Sequence, residues 1–205
     1  MKLRVLAPLL FGLSLVAGTA LGAPAGVGQP APAFSVSDAT GKTVSLADFR
    51  GRTVVLEWVN PECPYVRKHY SSANMQATQK GATATGVVWL SVNSTHPSHG
   101  DFKAPAAMAA WSLKQGAAPS ATLMDGDGKV GRAYGARTTP HMYVVDAKGM
   151  LVYAGGIDDK PSANPADVKT AKNFVNAALA DMQSGKPIAQ PVTRAYGCSV
   201  KYADS

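Results

Sequence analysis

The chain has 205 residues, a net charge of +7 at neutral pH, 46% apolar residues and two cysteines. Its Lys and Arg residues are scattered and never form a block, which argues against a nucleic-acid surface and for a soluble basic protein. Two cysteines are too few for a disulfide scaffold, so the fold has to stand on a hydrophobic core.

Residues 1–22 read as a secretory signal peptide. Lys2 and Arg4 open it, an apolar run follows from Val5 to Val16, and Ala20 and Gly22 suit a cut before Ala23. The run is rich in Gly and Ala and ends at that cleavage-like site, which favours a leader over a membrane anchor. No cysteine lies beside the cut, so a lipoprotein is not expected. Removing the leader leaves about 183 residues with a charge near +5, enough for one domain with a full core. No second run is long enough to cross a bilayer. Secretion into an oxidising compartment makes a bond between Cys63 and Cys198 the default expectation.

In chain order, "AFSVSDATGKTVSL" predicts two short strands around a turn at Ala39 to Gly41, with Phe34, Val36, Val44 and Leu46 alternating inward. "TVVLEWV" (Thr53 to Val59) and "VVWLSV" (Val87 to Val92) are strands expected to be covered on both faces. Between them, Pro64 to about Lys80 predicts a helix with Pro64 at its first position. That order implies a right-handed crossover between parallel strands. A polar loop, "STHPSHGDFKAP", precedes a short helix, "AAMAAWSLKQG", which stops at Gly116. "ATLMD" predicts a strand, "GKVGRAYGA" a helical turn, and "TPHMYVVDAKGMLVYAGGI" a hairpin turning at Ala147 to Gly149. A last helix is capped by Asn164, with Pro165 first and Asp167 in its first turn. Its apolar stripe is Val168, Ala171, Val175, Ala178, Leu179 and Met182, and Gly185 ends it. Residues 27–185 thus form one α/β domain with a central mixed sheet flanked by helices and led by a hairpin. Residues 186–205 are a tail that carries Cys198.

Three places carry chemistry. Cys63 follows an apolar strand and precedes Pro64, which sets its sulfur at a helix N-terminus, where unpaired N–H groups and the helix dipole stabilise a thiolate. Loops at the carboxyl ends of strands carry the chemistry of open α/β sheets, so a reactive role is preferred to a structural one. Arg67 and Lys68 read as a solvated basic face. Glu57, inside a strand covered on both faces, is either a carboxylate with a wet or lysine-paired side, or a buried carboxyl able to pass protons to a nearby thiol. Pro140, behind Thr138 and Thr139, is either an edge residue or a cis proline shaping a groove. "DGDGKVGRAYGA" is read as a turn rather than a calcium loop, because Ala136 and Val130 stand where Glu and Gly are needed. His69, His96, His99 and His141 show no ligand spacing, so no metal or other cofactor is expected, and His141 reads as packed core.

These residues converge on a resemblance. The chain is similar to the redoxin branch of the thioredoxin superfamily, which includes peroxiredoxin-like AhpC/TSA proteins and extracytoplasmic thiol–disulfide oxidoreductases. Ala31, Pro32, Phe34, Asp38, Gly41, Leu46, Phe49 and Gly51 fall as in that branch's leader, and "ECPYV" sits where it places its nucleophilic cysteine. Thr139-Pro140 matches the family's cis proline, and Glu57 falls where thioredoxins bury an acidic residue. "CPYVRKHY" together with "GCSVKY" is similar to a narrower group of bacterial redoxin-domain proteins. The chain departs from the pattern where Val66 replaces the second cysteine of a dithiol motif. Leu56 and Asn60 also stand where peroxiredoxins carry Pro and Thr or Ser, which argues against fast peroxide reduction.

Cys198 lies 135 residues beyond Cys63, and closing such a loop would stabilise the fold by about 5 kcal/mol on the chain-entropy model. A disulfide that releases a stabilised thiolate is easily reduced, so a reversible bond is preferred to a staple. The resulting expectation is a thioredoxin-fold oxidoreductase secreted into the bacterial periplasm and acting on a protein disulfide or a peroxide. Cys63 attacks, Cys198 resolves from a mobile tail, Glu57 handles protons, and Pro64, Thr139 and Pro140 face the substrate. A periplasmic or membrane thiol donor resets the pair. The alternatives are a non-catalytic binding module with a structural Cys63–Cys198 disulfide, and a copper-delivery protein.

Overall fold

Runs of β-branched and aromatic residues too apolar for any surface build the centre of the molecule, which a computed structural model describes over residues 25–204. The signal peptide read at residues 1–22 lies outside the described residues. Two short strands, β1 (Ser35–Ser37) and β2 (Thr43–Ser45), form the leading hairpin. The buried strand β3 (Val54–Trp58) follows, then helices α1 (Pro64–Ser71) and α2 (Asn74–Ala84), strand β4 (Val88–Asn93) and helix α3 (Pro105–Lys114). Next come β5 (Ala121–Met124), α4 (Lys129–Tyr134), the two-residue β6 (Thr138–Thr139), β7 (His141–Val145) and β8 (Leu151–Gly155). Helix α5 (Phe174–Gln183) and the two-residue β9 (Cys198–Ser199) complete the chain.

The main sheet has the order β5-β4-β3-β7-β8. Strands β3, β4 and β5 run parallel, while β7 and β8 are antiparallel additions. This is the expected mixed sheet of a thioredoxin-like α/β fold. Alternation along β3 divides the core into two layers. Val55 and Val59 pack with Val66, Met75, Val175 and Leu179 of α1, α2 and α5. Val54, Leu56 and Trp58 pack with Phe34, Val44 and Tyr134 of the hairpin and α4. Among the described residues no helix is long and apolar enough to cross a membrane.

Two helices predicted as continuous are each divided. The first breaks at Ala73, which takes a left-handed φ of 59°. The Ser72 hydroxyl caps the Lys68 carbonyl at 2.7 Å and closes α1 there. In the last helix, Asn164 caps only a 3₁₀ segment, Pro165–Thr170, and α5 restarts at Phe174 under the side chain of Asn173. The interruption is tertiary: Asn173 bridges Asp158, and the Phe174 N–H donates to the Ile157 carbonyl at 2.9 Å. Val168 therefore sits outside the helix whose stripe it was expected to join, while Val175, Ala178 and Leu179 are buried as predicted.

The tail is no loose appendage. It binds the body along its length, and glycines lie beneath its two ends. The Thr193 N–H donates to the Ala154 carbonyl at 3.1 Å, and the Thr193 hydroxyl accepts from the Gly156 N–H at 3.0 Å. Further on, β9 pairs antiparallel with β6, setting Thr139 opposite Cys198. The Val200 N–H donates to the Arg137 carbonyl, and the Lys201 carbonyl accepts from the His96 N–H at 2.7 Å. A Cβ on Gly155 would lie 2.1 Å from the Thr193 hydroxyl, and one on Gly131 would lie 2.3 Å from the Tyr202 hydroxyl. Small residues were needed there for the tail to approach so closely. Gly155→Ala should therefore overpack this contact, lower stability by about 1–3 kcal/mol and expose residues 186–205 to earlier limited proteolysis. A tail as protease-resistant as in the wild type would show that the track tolerates a methyl group.

Candidate functional site

Cys63 is the N-cap of α1, with Pro64 at the first helical position, as the sequence predicts. The turn before it is organised by Asn60, whose side-chain oxygen accepts from the Glu62 N–H at 2.9 Å while its amide donates to Asp101 at 2.9 Å. Asn60 thus fills the position of the peroxiredoxin Thr or Ser with a turn-building role. Around this turn, Glu62 pairs with Lys103 at 2.7 Å and with Arg67. Arg67 is exposed, as read from the sequence.

The two sulfurs, separated by 135 positions, lie 2.8 Å apart as free thiols. Cys63 is 1% exposed, and its thiol also reaches the Thr139 carbonyl at 3.0 Å. Each thiol has one proton, so the arrangement is satisfied when Cys63 donates to Thr139 and Cys198 donates to the Cys63 sulfur. Burial, reinforced by that hydrogen bond to Cys63, pushes the Cys198 thiol up to about 12. Thr139-Pro140 is a cis peptide, and both residues are buried beside the sulfurs, whereas Pro64 is exposed. Gly197 makes the approach feasible, since a Cβ there would lie 2.0 Å from the Thr139 carbonyl oxygen. The Thr139 hydroxyl is buried with no hydrogen-bond partner.

Glu57 is fully buried, on the same sheet face as Val55 and Val59. Tyr70 donates to one carboxylate oxygen at 2.8 Å. Gln79 (3.0 Å), Trp89 (2.8 Å) and Ser91 (3.1 Å) donate to the other. Neither sulfur is among these partners. Burial raises the Glu57 pKa, and the four donors oppose the shift. Of the two sequence readings, the wet or lysine-paired carboxylate is set aside: the carboxyl is dry and held by neutral donors.

Lys68 corrects the sequence reading most sharply. Its side chain is 0% exposed and pairs with Asp158 at 3.4 Å, so it is no solvated basic face. It also donates to the Lys160 carbonyl at 2.7 Å and lies 3.3 Å from the Tyr196 hydroxyl. His69, equally buried, meets the same hydroxyl at 3.2 Å. Lys68, His69, Asp158 and Tyr196 were missed as a group because they come from distant segments. The one signal was the place of Lys68 and His69 on the same helix as Val66 and Tyr70, which pack inward. His141 lies between Tyr143 and Arg137, its ring 3.1 Å from the Tyr143 hydroxyl. Among the described residues no three His, Cys, Asp or Glu side chains converge to hold a metal.

Residues 27–154 match the AhpC/TSA family, well over half of the chain. The chain belongs to the AhpC/TSA family. Solved structures agree on the fold. A hypothetical protein of Sinorhizobium meliloti superposes with a TM-score of 0.73 at 23% identity, covering 88% of this chain and 97% of that one. An uncharacterized conserved protein of Geobacillus kaustophilus gives a TM-score of 0.74 at 24% identity, covering 88% and 94%. A Chlorobium tepidum protein, provisionally described as thiol:disulfide interchange protein DsbE, gives 0.51 at 24% identity, covering 63% and 84%. No curated protein matches the chain. As an AhpC/TSA member with a thioredoxin-like fold, it belongs with thiol-dependent redox proteins.

Burial lowers the pKa of His69 to about 4, with Asp158 opposing and Lys68 reinforcing, and burial lowers His141 to about 4 as well. Between that value and the unfolded 6.5, the unfolded chain binds more protons, so these residues make stability fall as pH falls from 6.5 to 4. Glu57, with its pKa raised, acts in the opposite sense, so the comparison with a variant isolates the effect. His69→Gln should reduce the pH slope of the urea midpoint in this window by up to about one proton. Equal slopes in wild type and variant would show that His69 titrates alike in both states.

Proposed function

We propose that the chain is an extracytoplasmic thiol–disulfide oxidoreductase in which Cys63 attacks and Cys198 resolves. The observation that carries this reading is the 2.8 Å approach of the two thiols at the N-terminus of α1, beside Thr139. The leader-like residues 1–22 support the location.

With a protein disulfide as substrate, the Cys63 thiolate attacks one sulfur, a mixed disulfide forms and the other substrate sulfur leaves as a thiolate. Cys198 then attacks the Cys63 sulfur, giving the Cys63–Cys198 disulfide and releasing the second substrate thiol. Two electrons pass from the protein dithiol to the substrate. With a peroxide, attack on oxygen gives a Cys63 sulfenic acid and an alcohol or water, and condensation with the Cys198 thiol releases water. A periplasmic or membrane-linked thiol donor returns two electrons and two protons. The raised pKa of Cys198 suits this order, because Cys198 is then poorly disposed to make the first attack. We assign Glu57 a proton-holding role through Tyr70, which donates to it from the helix that Cys63 caps. Pro64, Thr139 and Pro140 are assigned to the face that meets substrate.

One observation favours a second reading. Cys63 is 1% exposed beneath the tail, as the inner half of a structural staple would be in a non-catalytic binding module. Substitution separates the two. Under the redox reading, Cys63→Ser loses insulin-reduction or peroxide turnover by at least about 100-fold, and Cys198→Ser accumulates mixed disulfides on Cys63 that intact mass measurement resolves. A Cys63→Ser protein that keeps its turnover, or a wild-type bond that resists dithiothreitol until the protein unfolds, sinks the catalytic reading.

A further inference from the structure

Beside the sulfurs lies a buried polar cluster that thiol chemistry does not use. The Tyr196 hydroxyl donates to one Asp158 carboxylate oxygen, and Lys68 pairs with the other at 3.4 Å. The Asn74 amide donates to His69 Nδ1 at 2.8 Å, which leaves the imidazole proton on Nε2, facing the Tyr196 hydroxyl at 3.2 Å. Lys68 and Asp158 are 0% and 1% exposed in their side chains. A buried pair of this kind is costly unless its hydrogen bonds are completed, and the tail's Tyr196 helps to complete them. Tyr65 adds an edge-on ring contact to Tyr196 at 5.8 Å.

The placement matters more than the stability. Lys68 and His69 ride on α1, the helix that begins at Cys63, and Tyr196 stands two residues before Cys198. Helix α1 therefore carries both the first sulfur and two of the three residues of the socket that holds the second. The β6–β9 ladder has two residues a side, too short to fix a strand by itself. We propose that Asp158, Lys68 and His69 form a clasp on Tyr196 that positions the Cys198 thiol over Cys63 and governs how often Cys63 opens to solvent. Tyr196 is a positioning residue in this scheme, since it touches neither sulfur. The consequence for turnover rests on the redox reading of the pair, but the clasp itself does not.

The test is alkylation of the reduced chain with iodoacetamide, each cysteine followed by peptide mass. Tyr196→Phe keeps the ring and removes the hydroxyl. Cys63 should then be modified roughly ten- to a hundredfold faster, the factor expected for a lost hydrogen bond to a charged group. Hydrogen exchange guards against a general loss of stability. The amides of Cys198 and Val200 should exchange faster in Tyr196→Phe, while those of β4 keep their wild-type rates. A Cys63 alkylation rate equal to the wild type overturns the clasp, as does acceleration of β4 in step with the tail. Oxidation of the wild type by oxidised glutathione separates this from the functional reading. If no internal disulfide forms, yet Tyr196→Phe exposes Cys63, the clasp stands and the redox reading falls. If the disulfide forms and Tyr196→Phe leaves Cys63 shielded, the clasp falls alone.

Discussion

The pairing of Thr139 with Cys198 is the constraint on which the site depends. It brings together sulfurs that the chain separates by 135 positions, and it does so by pairing the tail strand β9 with β6. That approach requires a residue without a side chain at Gly197, because a Cβ would collide with the Thr139 carbonyl oxygen. The same economy recurs along the tail, where Gly155 and Gly156 lie under Thr193 and Arg194, and Gly128 and Gly131 under Tyr202. The tail is thus a packed part of the domain, held by close backbone contact at each end and by a buried ionic cluster in the middle.

Two buried polar groups flank α1, and they are solved differently. Glu57 is surrounded by four neutral donors and no cation, so its charge is met by hydrogen bonds while burial raises its pKa. Lys68 has a carboxylate, a carbonyl and a phenol around it, so its charge is met by Asp158 and shared with Tyr196. The first arrangement ties α1 and α2 to β3 and β4. The second ties α1 to the tail. Helix α1, with Cys63 at its head, is consequently fixed from both sides.

Much of this was legible in the order of residues. The strands around Leu56, Leu90 and Val144 announce themselves by largely apolar runs, the hairpins by Gly41 and Gly149, and the helix start at Cys63 by Pro64. The misread parts have two causes. The break at Ala73 is a local left-handed turn that the periodicity of the flanking residues does not mark, whereas the break at Asn173 comes from partners far away in the chain, Asp158 and Ile157, to which local periodicity has no access. Lys68 looked solvated because lysine usually is, and its burial follows from Asp158, 90 positions distant.

The sequence alone determined the local chemistry: a cysteine at a helix N-terminus, an acid inside an apolar strand, a Thr-Pro before a strand, and a second cysteine in a tail. These follow from the period of the apolar residues and from the backbone preferences of Pro and Gly, which act over a few residues. The tertiary structure decided what those pieces do to one another. It set Cys198 against Cys63, enclosed Glu57 in donors, and turned Lys68 inward to hold Tyr196. Such outcomes depend on which distant surfaces fit closely enough to exclude water, and that is a property of the packed molecule rather than of any stretch of chain.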